Sequence, residues 1–148
     1  RRGIIWGRIR DKGGRTMVIT IKHEQGRVPV TVLAISGNID VETVEEFQKI
    51  AEKSYQDGTR DLLLDLSEVT YINSSGLRVL HSIFKMLKGD LAQEGEEAMS
   101  QGLRDGTFTS PHLKLLNPTP LVKDVLKMTG FDMFLEVHRN YKEAILSF

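Results

Sequence analysis

Residues 62–80 read LLLDLSEVTYINSSGLRVL, and this stretch decides the architecture. Leu62, Leu63, Leu64 and Leu66, interrupted only by Asp65, form a short, almost continuous apolar run. Such a run suits a strand covered on both faces, as in a parallel sheet packed between helices. Ser67–Ile72 then reads as a loop with a short extended piece. Asn73-Ser74-Ser75-Gly76 marks the start of a helix whose core stripe is Leu77, Leu80, Phe84 and Leu87, at spacings of three, four and three. A strand therefore hands over to a helix across two serines. A helix start offers unpaired backbone N–H groups and the positive end of the macrodipole. A serine there has two uses: capping the helix, with Gly76 allowing close approach, or accepting a phosphate that the N–H groups stabilise.

The pattern extends in both directions. Upstream, residues 16–23 (TMVITIKH) alternate apolar and polar, with Met17, Ile19 and Ile21 on one side. Residues 28–36 (VPVTVLAIS) follow after the turn Glu24–Arg27, and Val30, Val32, Ala34 and Ser36 fall on one face. The two segments predict an antiparallel hairpin. Gly37–Asp40 breaks the second strand and leads into a helix, with Asp40 as candidate N-cap and Thr43 with Glu46 as an alternative capping box. Val44, Phe47, Ile50, Ala51, Ser54 and Tyr55 make its buried face, and Gly58 ends it. Downstream, His112–Leu116 predicts a strand, Asn117–Pro120 a turn, and Leu121–Met128 a helix stopped by Gly130. Residues 134–137 predict an edge strand, and Asn140 caps a terminal helix. The order predicts one α/β domain: a mixed, mostly parallel β-sheet with an N-terminal hairpin, packed against about four helices.

Two segments lie outside that pattern. Residues 1–15 hold six Arg or Lys and one Asp, against a chain total of 20 basic and 20 acidic residues. This basic leader reads as a linker, as a juxtamembrane stretch, or as a nucleic-acid contact, and no function is built on it. The chain begins with Arg rather than Met, which reads as a fragment or a processed chain. Residues 88–111 carry several acids and glycines with few large apolar side chains, and read as a solvated insertion. The domain is expected over residues 16–148.

Composition excludes several classes. The 148 residues contain no cysteine, so there is no disulfide framework, thiol nucleophile or cysteine metal site. No run approaches the roughly 18 apolar residues of a membrane helix. With balanced charge, no global field draws the protein to nucleic acid or membrane. There is no Walker loop, GxGxxG, G-x-S-x-G or His-Glu-x-x-His. The histidines His23, His81, His112 and His138 lie too far apart for a helical metal pair. No catalytic residue, metal site or cofactor is expected. Asn73-Ser74-Ser75 satisfies the N-glycosylation pattern by chance alone, since no cysteine or secretion signal accompanies it.

The run Asp65-Leu66-Ser67-x-Val69-x-Tyr71-Ile72-Asn73-Ser74-Ser75-Gly76-Leu77 resembles the signature of the STAS domain, and more narrowly that of the bacterial anti-sigma factor antagonists. Gly37-x-Ile39-Asp40 is similar to the loop before that family's first helix. Pro118, Val122, Leu126, Gly130 and Phe131-x-x-Phe134 also suit its C-terminal half. The likeness spans roughly residues 16–88 and 112–148.

The resemblance implies a cytoplasmic, phosphorylation-controlled partner switch without catalysis of its own. Such an antagonist binds an anti-sigma factor that is also a GHKL-type serine/threonine kinase, and so frees a sigma factor. The kinase phosphorylates the antagonist, and a PP2C-type phosphatase reverses the modification. The matching acceptor here is Ser74, with Ser75 second and its hydroxyl expected to serve the helix start. The implied partner-binding residues are Asn38, Asp40, Asn73, Ser75, Gly76 and Leu77. Asn73 stands where the family usually has Asp, which keeps capping ability and removes a charge. The change either eases phosphate accommodation or marks a subgroup with different kinase recognition. The alternative within the same family is a scaffold or accessory module, in a stressosome-like assembly or on a transporter. An enzyme or nucleotide-binding domain lacks a supporting motif.

Overall fold

A computed structural model describes residues 4–10, 16–88 and 109–148. The strands are β1 (Ile4–Arg10), β2 (Thr16–Gln25), β3 (Pro29–Ile39), β4 (Leu62–Ile72), β5 (Leu113–Leu116) and β6 (Val137–His138). The helices are α1 (Val44–Gln56), α2 (Ser74–Lys88), α3 (Pro120–Thr129) and α4 (Tyr141–Leu146), with a 3-10 turn at Phe131–Met133. One six-stranded sheet has the order β1-β2-β3-β4-β5-β6. The pairs β1–β2 and β2–β3 are antiparallel, and β3–β4, β4–β5 and β5–β6 are parallel. The expected mixed sheet with crossover helices is present.

The sheet is covered unequally on its two faces. Met17, Ile19, Leu33, Ile35, Leu62, Leu64, Leu66, Leu113 and Leu115 form one core with Phe47 and Ala51 of α1, Leu80, Ile83 and Phe84 of α2, and Val122 and Leu126 of α3. Val30, Val32, Leu63 and Leu116 face the other way, under Ala144 and Ile145 of α4. This two-sided burial explains why the leucine run around Leu62 does not alternate. The buried cation Lys114 helps to fasten α4. Its Nζ lies 3.3 Å from Glu136, donates to the Ser147 carbonyl at 2.9 Å, and sits 4.8 Å from the Phe148 ring centre.

Several element bounds differ from the sequence expectation. The stretch 4–10, taken as part of a basic leader, is an edge strand in register with β2, Ile4 opposite Lys22 and Arg10 opposite Thr16. Its three isoleucines and one tryptophan carry strand propensity that a charge count hides. Gly37–Ile39 does not break β3, because register shifts near Gly37 let the strand continue until Ile39 meets Ile72. For the same reason Ser67–Ile72 is strand rather than loop. The face assigned to Val30, Val32, Ala34 and Ser36 covers the smaller core only at its first two residues. Ser36 is exposed, and the larger core takes the alternate residues Leu33 and Ile35. The last strand is Val137–His138 rather than residues 134–137, because Phe134 packs against the rings of Phe84 and Phe131 instead of entering the sheet. The remaining leader residues and positions 89–108 of the polar insertion lie outside the described residues.

Candidate functional site

The parallel pairing of β3 with β4 brings their C-terminal ends together, and Asn38, Asp40 and the start of α2 from Asn73 to Leu77 gather at that edge. Asn38 is paired with Tyr71 and Ile39 with Ile72. The Thr70 hydroxyl donates to the Asn38 side-chain oxygen. The Asn73 N–H then donates to the Ile39 carbonyl at 3.3 Å, which ties the start of α2 to the end of β3.

Asn73 caps α2. Its side-chain oxygen accepts the Gly76 N–H at 3.2 Å, and its carbonyl accepts the Leu77 N–H at 3.0 Å. The expectation that the Ser75 hydroxyl would serve the helix start is therefore corrected. The carboxamide one position before the serine pair reaches the N–H that a cap must satisfy, and the Ser75 hydroxyl makes no hydrogen bond with a described residue. Ser74 opens the helix, is exposed, and likewise carries no hydrogen bond on its hydroxyl among the described residues. Ser75 and Leu77 are half-buried and Gly76 is buried.

The β3–α1 turn is built differently from a simple side-chain cap. The Asp40 carboxylate accepts the Glu42 N–H at 3.0 Å, and the Asp40 carbonyl accepts from Thr43 and Val44. The Thr43 hydroxyl accepts the Asp40 N–H at 3.1 Å and donates back to the Asn38 carbonyl at 2.9 Å. Neither Asp40 nor Thr43 caps α1 by its side chain, because both are consumed in folding the turn. Asp40 is only 6% exposed, so of the residues expected to meet a partner it lies beneath the surface.

The exposed part of this edge is apolar where sequence reading did not look. Val41 is 67% and Tyr71 44% exposed, and Leu121 at the start of α3 is 53% exposed. The Thr119 hydroxyl donates to the Val69 carbonyl at 2.9 Å, which brings α3 to the same end of the sheet. Strand alternation gave no signal for Tyr71: it is paired with Asn38, yet Val69 two residues earlier is buried and Tyr71 is exposed.

Charge along α2 is one-signed. The helix contains Arg78, Lys85 and Lys88 and no acidic residue. Burial, with Lys85 and Lys88 nearby, holds His81 below the usual histidine range. A cleft of about 600 Å3 lies at the opposite end of the sheet, around His23, Thr31, Ser54 and Thr59. There Lys53 pairs with Asp57 at 3.1 Å, and the His112 ring hydrogen-bonds Asp61 at 2.8 Å. No group of three or more His, Asp or Glu suited to a metal ion occurs among the described residues, and no described helix is long and apolar enough to cross a membrane.

Residues 20–92, which hold β4, Asn73 and all of α2, match the model of the STAS domain. This segment is a STAS domain. Within this STAS domain the serine pair sits at the strand-to-helix joint just described. The chain is 34% identical over 71 residues to the anti-sigma-B factor antagonist of Staphylococcus aureus, covering 48% of this chain and 62% of that protein. The alignment thus spans less than two thirds of the relative. Among solved structures, an anti-sigma factor antagonist from Mycobacterium paratuberculosis superposes with a TM-score of 0.66 at 19% identity, over 87% of this chain and 91% of that one. The Bacillus cell fate determinant SpoIIAA in its phosphorylated form superposes with a TM-score of 0.54 at 18% identity, over 84% of this chain and 96% of that one. At these identities the superpositions establish the STAS fold.

Proposed function

We propose that this STAS domain is a phosphorylation-controlled anti-sigma factor antagonist. It binds an anti-sigma serine/threonine kinase in the cytoplasm, so releasing a sigma factor, and is switched off by phosphate on Ser74. The observation that carries this reading is the setting of Ser74. Ser74 is exposed at the first position of α2, its hydroxyl has no hydrogen-bond partner among the described residues, and it lies on the edge that also presents Val41 and Tyr71. The likeness to the S. aureus antagonist, and the solved phosphorylated form of a protein with this fold, support it.

The switch follows from charge. The kinase transfers the γ-phosphoryl group of ATP to Ser74 Oγ. The bond to ADP breaks, and the serine proton leaves to a base on the kinase. The product carries about −1.5 to −2 charges at neutral pH. The helix start tolerates that charge and the fold survives. A partner docked over Val41, Tyr71 and Ser74 must desolvate or repel it, and each 1.4 kcal/mol lost is about tenfold in affinity. A PP2C-type phosphatase restores the binding form. The domain is substrate and binder, with no catalytic residue of its own.

The test is phosphorylation with ATP and an anti-sigma serine/threonine kinase, followed by mass-spectrometric mapping. Phosphate is expected on Ser74. Ser74→Ala should fold, bind and resist labelling, and Ser74→Asp should fold and bind poorly. Phosphate on Ser75 alone, or undiminished labelling of Ser74→Ala, would overturn the assignment.

A further inference from the structure

We propose that Arg78 is the internal counter-ion of a phosphate on Ser74, a role that rests on the reading of Ser74 as the acceptor. The two residues are four apart on α2, so they stack on one face one turn apart, about 5–6 Å between Cβ atoms. Both are exposed. The Arg78 guanidinium makes no hydrogen bond or ion pair with a described residue, so no described residue holds it away from Ser74. No carboxylate on α2 competes for it, and the cap residue Asn73 is neutral. Across the edge, the β3–α1 turn brings the carboxylates of Asp40 and Glu42. That of Asp40 lies below the surface and accepts the Glu42 N–H.

Arginine suits this task better than lysine, because its planar fork offers two parallel N–H donors to phosphate oxygens. The pair gives modification a second consequence. The phosphate adds negative charge at the edge, and it also withdraws the first cation of the α2 ridge from anything that docks there. Lys85 and Lys88 stand farther along the helix and remain available.

The experiment installs phosphoserine at position 74 of the full chain by genetic encoding, so no kinase is needed, and follows the phosphate by 31P NMR across pH. A nearby guanidinium favours the dianion. Arg78→Ala is therefore expected to raise the second phosphate pKa by about 0.3. Arg78→Lys should fall between Arg78→Ala and the parent, and Lys85→Ala should titrate as the parent does. Melting of unphosphorylated Arg78→Ala should match the parent, showing that the fold is intact. Superposition of the Arg78→Ala and parent titrations would overturn the pairing. So would an equal change in Lys85→Ala, which would show only the general field of the helix. Failure of the kinase to label Ser74 would instead strike the functional reading, and it is measured separately.

Discussion

Gly76 of α2 lies directly against Ile39 of β3. A Cβ built on Gly76 would stand 2.9 Å from both the Ile39 carbonyl oxygen and Ile39 Cγ2, and 2.6 Å from Ile72 Cγ1. The missing side chain is what lets the first turn of the helix sit on the ends of two strands. Gly76→Ala should force α2 outward and destabilise the domain by about 1–3 kcal/mol, because backbone cannot give way as a side-chain tip can. Urea unfolding monitored by circular dichroism would measure this.

Asn73 should be replaceable by one acid but not by alanine. Asn73→Ala removes the oxygen that accepts the Gly76 N–H and should cost about 1 kcal/mol. Asn73→Asp retains the acceptor and adds a favourable charge at the helix start, so the unmodified protein should melt at the parent temperature or slightly above. In phosphorylated protein the same Asp adds repulsion beside Ser74, so the advantage should shrink or reverse. Paired thermal melts with and without phosphoserine test both signs.

Val41 and Tyr71 should matter for binding and little for folding. Each is exposed at the sheet edge where α2 begins, and buried aromatic and aliphatic anchors dominate interfaces. Val41→Ala and Tyr71→Ala should each weaken kinase binding by about tenfold, near 1.4 kcal/mol. Both should leave the melting temperature within about 2 °C, as exposed substitutions do. Calorimetric titration with the kinase would read the first effect and differential scanning calorimetry the second.

The fastening of α4 should weaken in acid. Burial alone would raise the Glu136 pKa, but hydrogen bonds and charge from His138 and Lys114 outweigh it and lower the value. A carboxylate lowered on folding stabilises above its ordinary value of 4.5, and that stability is lost as pH falls through the folded value. Glu136→Gln should therefore lose less stability than the parent between about pH 6 and pH 3. Matched urea titrations across that range would show the difference in slope.

The sheet, its hairpin and the helices were legible because leucine runs and helical stripes leave a strong periodic record. Leu62–Leu66 announced a strand buried on both faces, and Gly130 and Asn140 marked helix ends where the chain does stop and start: Gly130 has φ 82°, and Asn140 accepts the Glu143 N–H at 2.9 Å. What sequence reading missed was decided by contacts between segments. The register shifts near Gly37 carry β3 to Ile39 and β4 to Ile72, and no local pattern records them. The roles of Asp40, Thr43 and Asn73 also depended on which neighbour each oxygen reached. Polar residues near a helix start look alike in sequence and differ only in the N–H group they satisfy. The exposure of Val41 follows from the turn beneath it, which no periodicity describes.

The spatial order of the strands repeats their order in the chain. Each strand emerging from a ribosome would meet the edge left by the strand made just before it, and no completed edge has to reopen to admit a later one. Closure distances stay short on this scheme, which favours rapid assembly from the N-terminal side. The exception is α4, made last, which with Phe148 packs over Val30, Val32, Leu63 and Leu116. A nascent chain stalled before residue 141 should therefore expose that apolar strip while the other face is already shut, making it the natural target for a chaperone during synthesis.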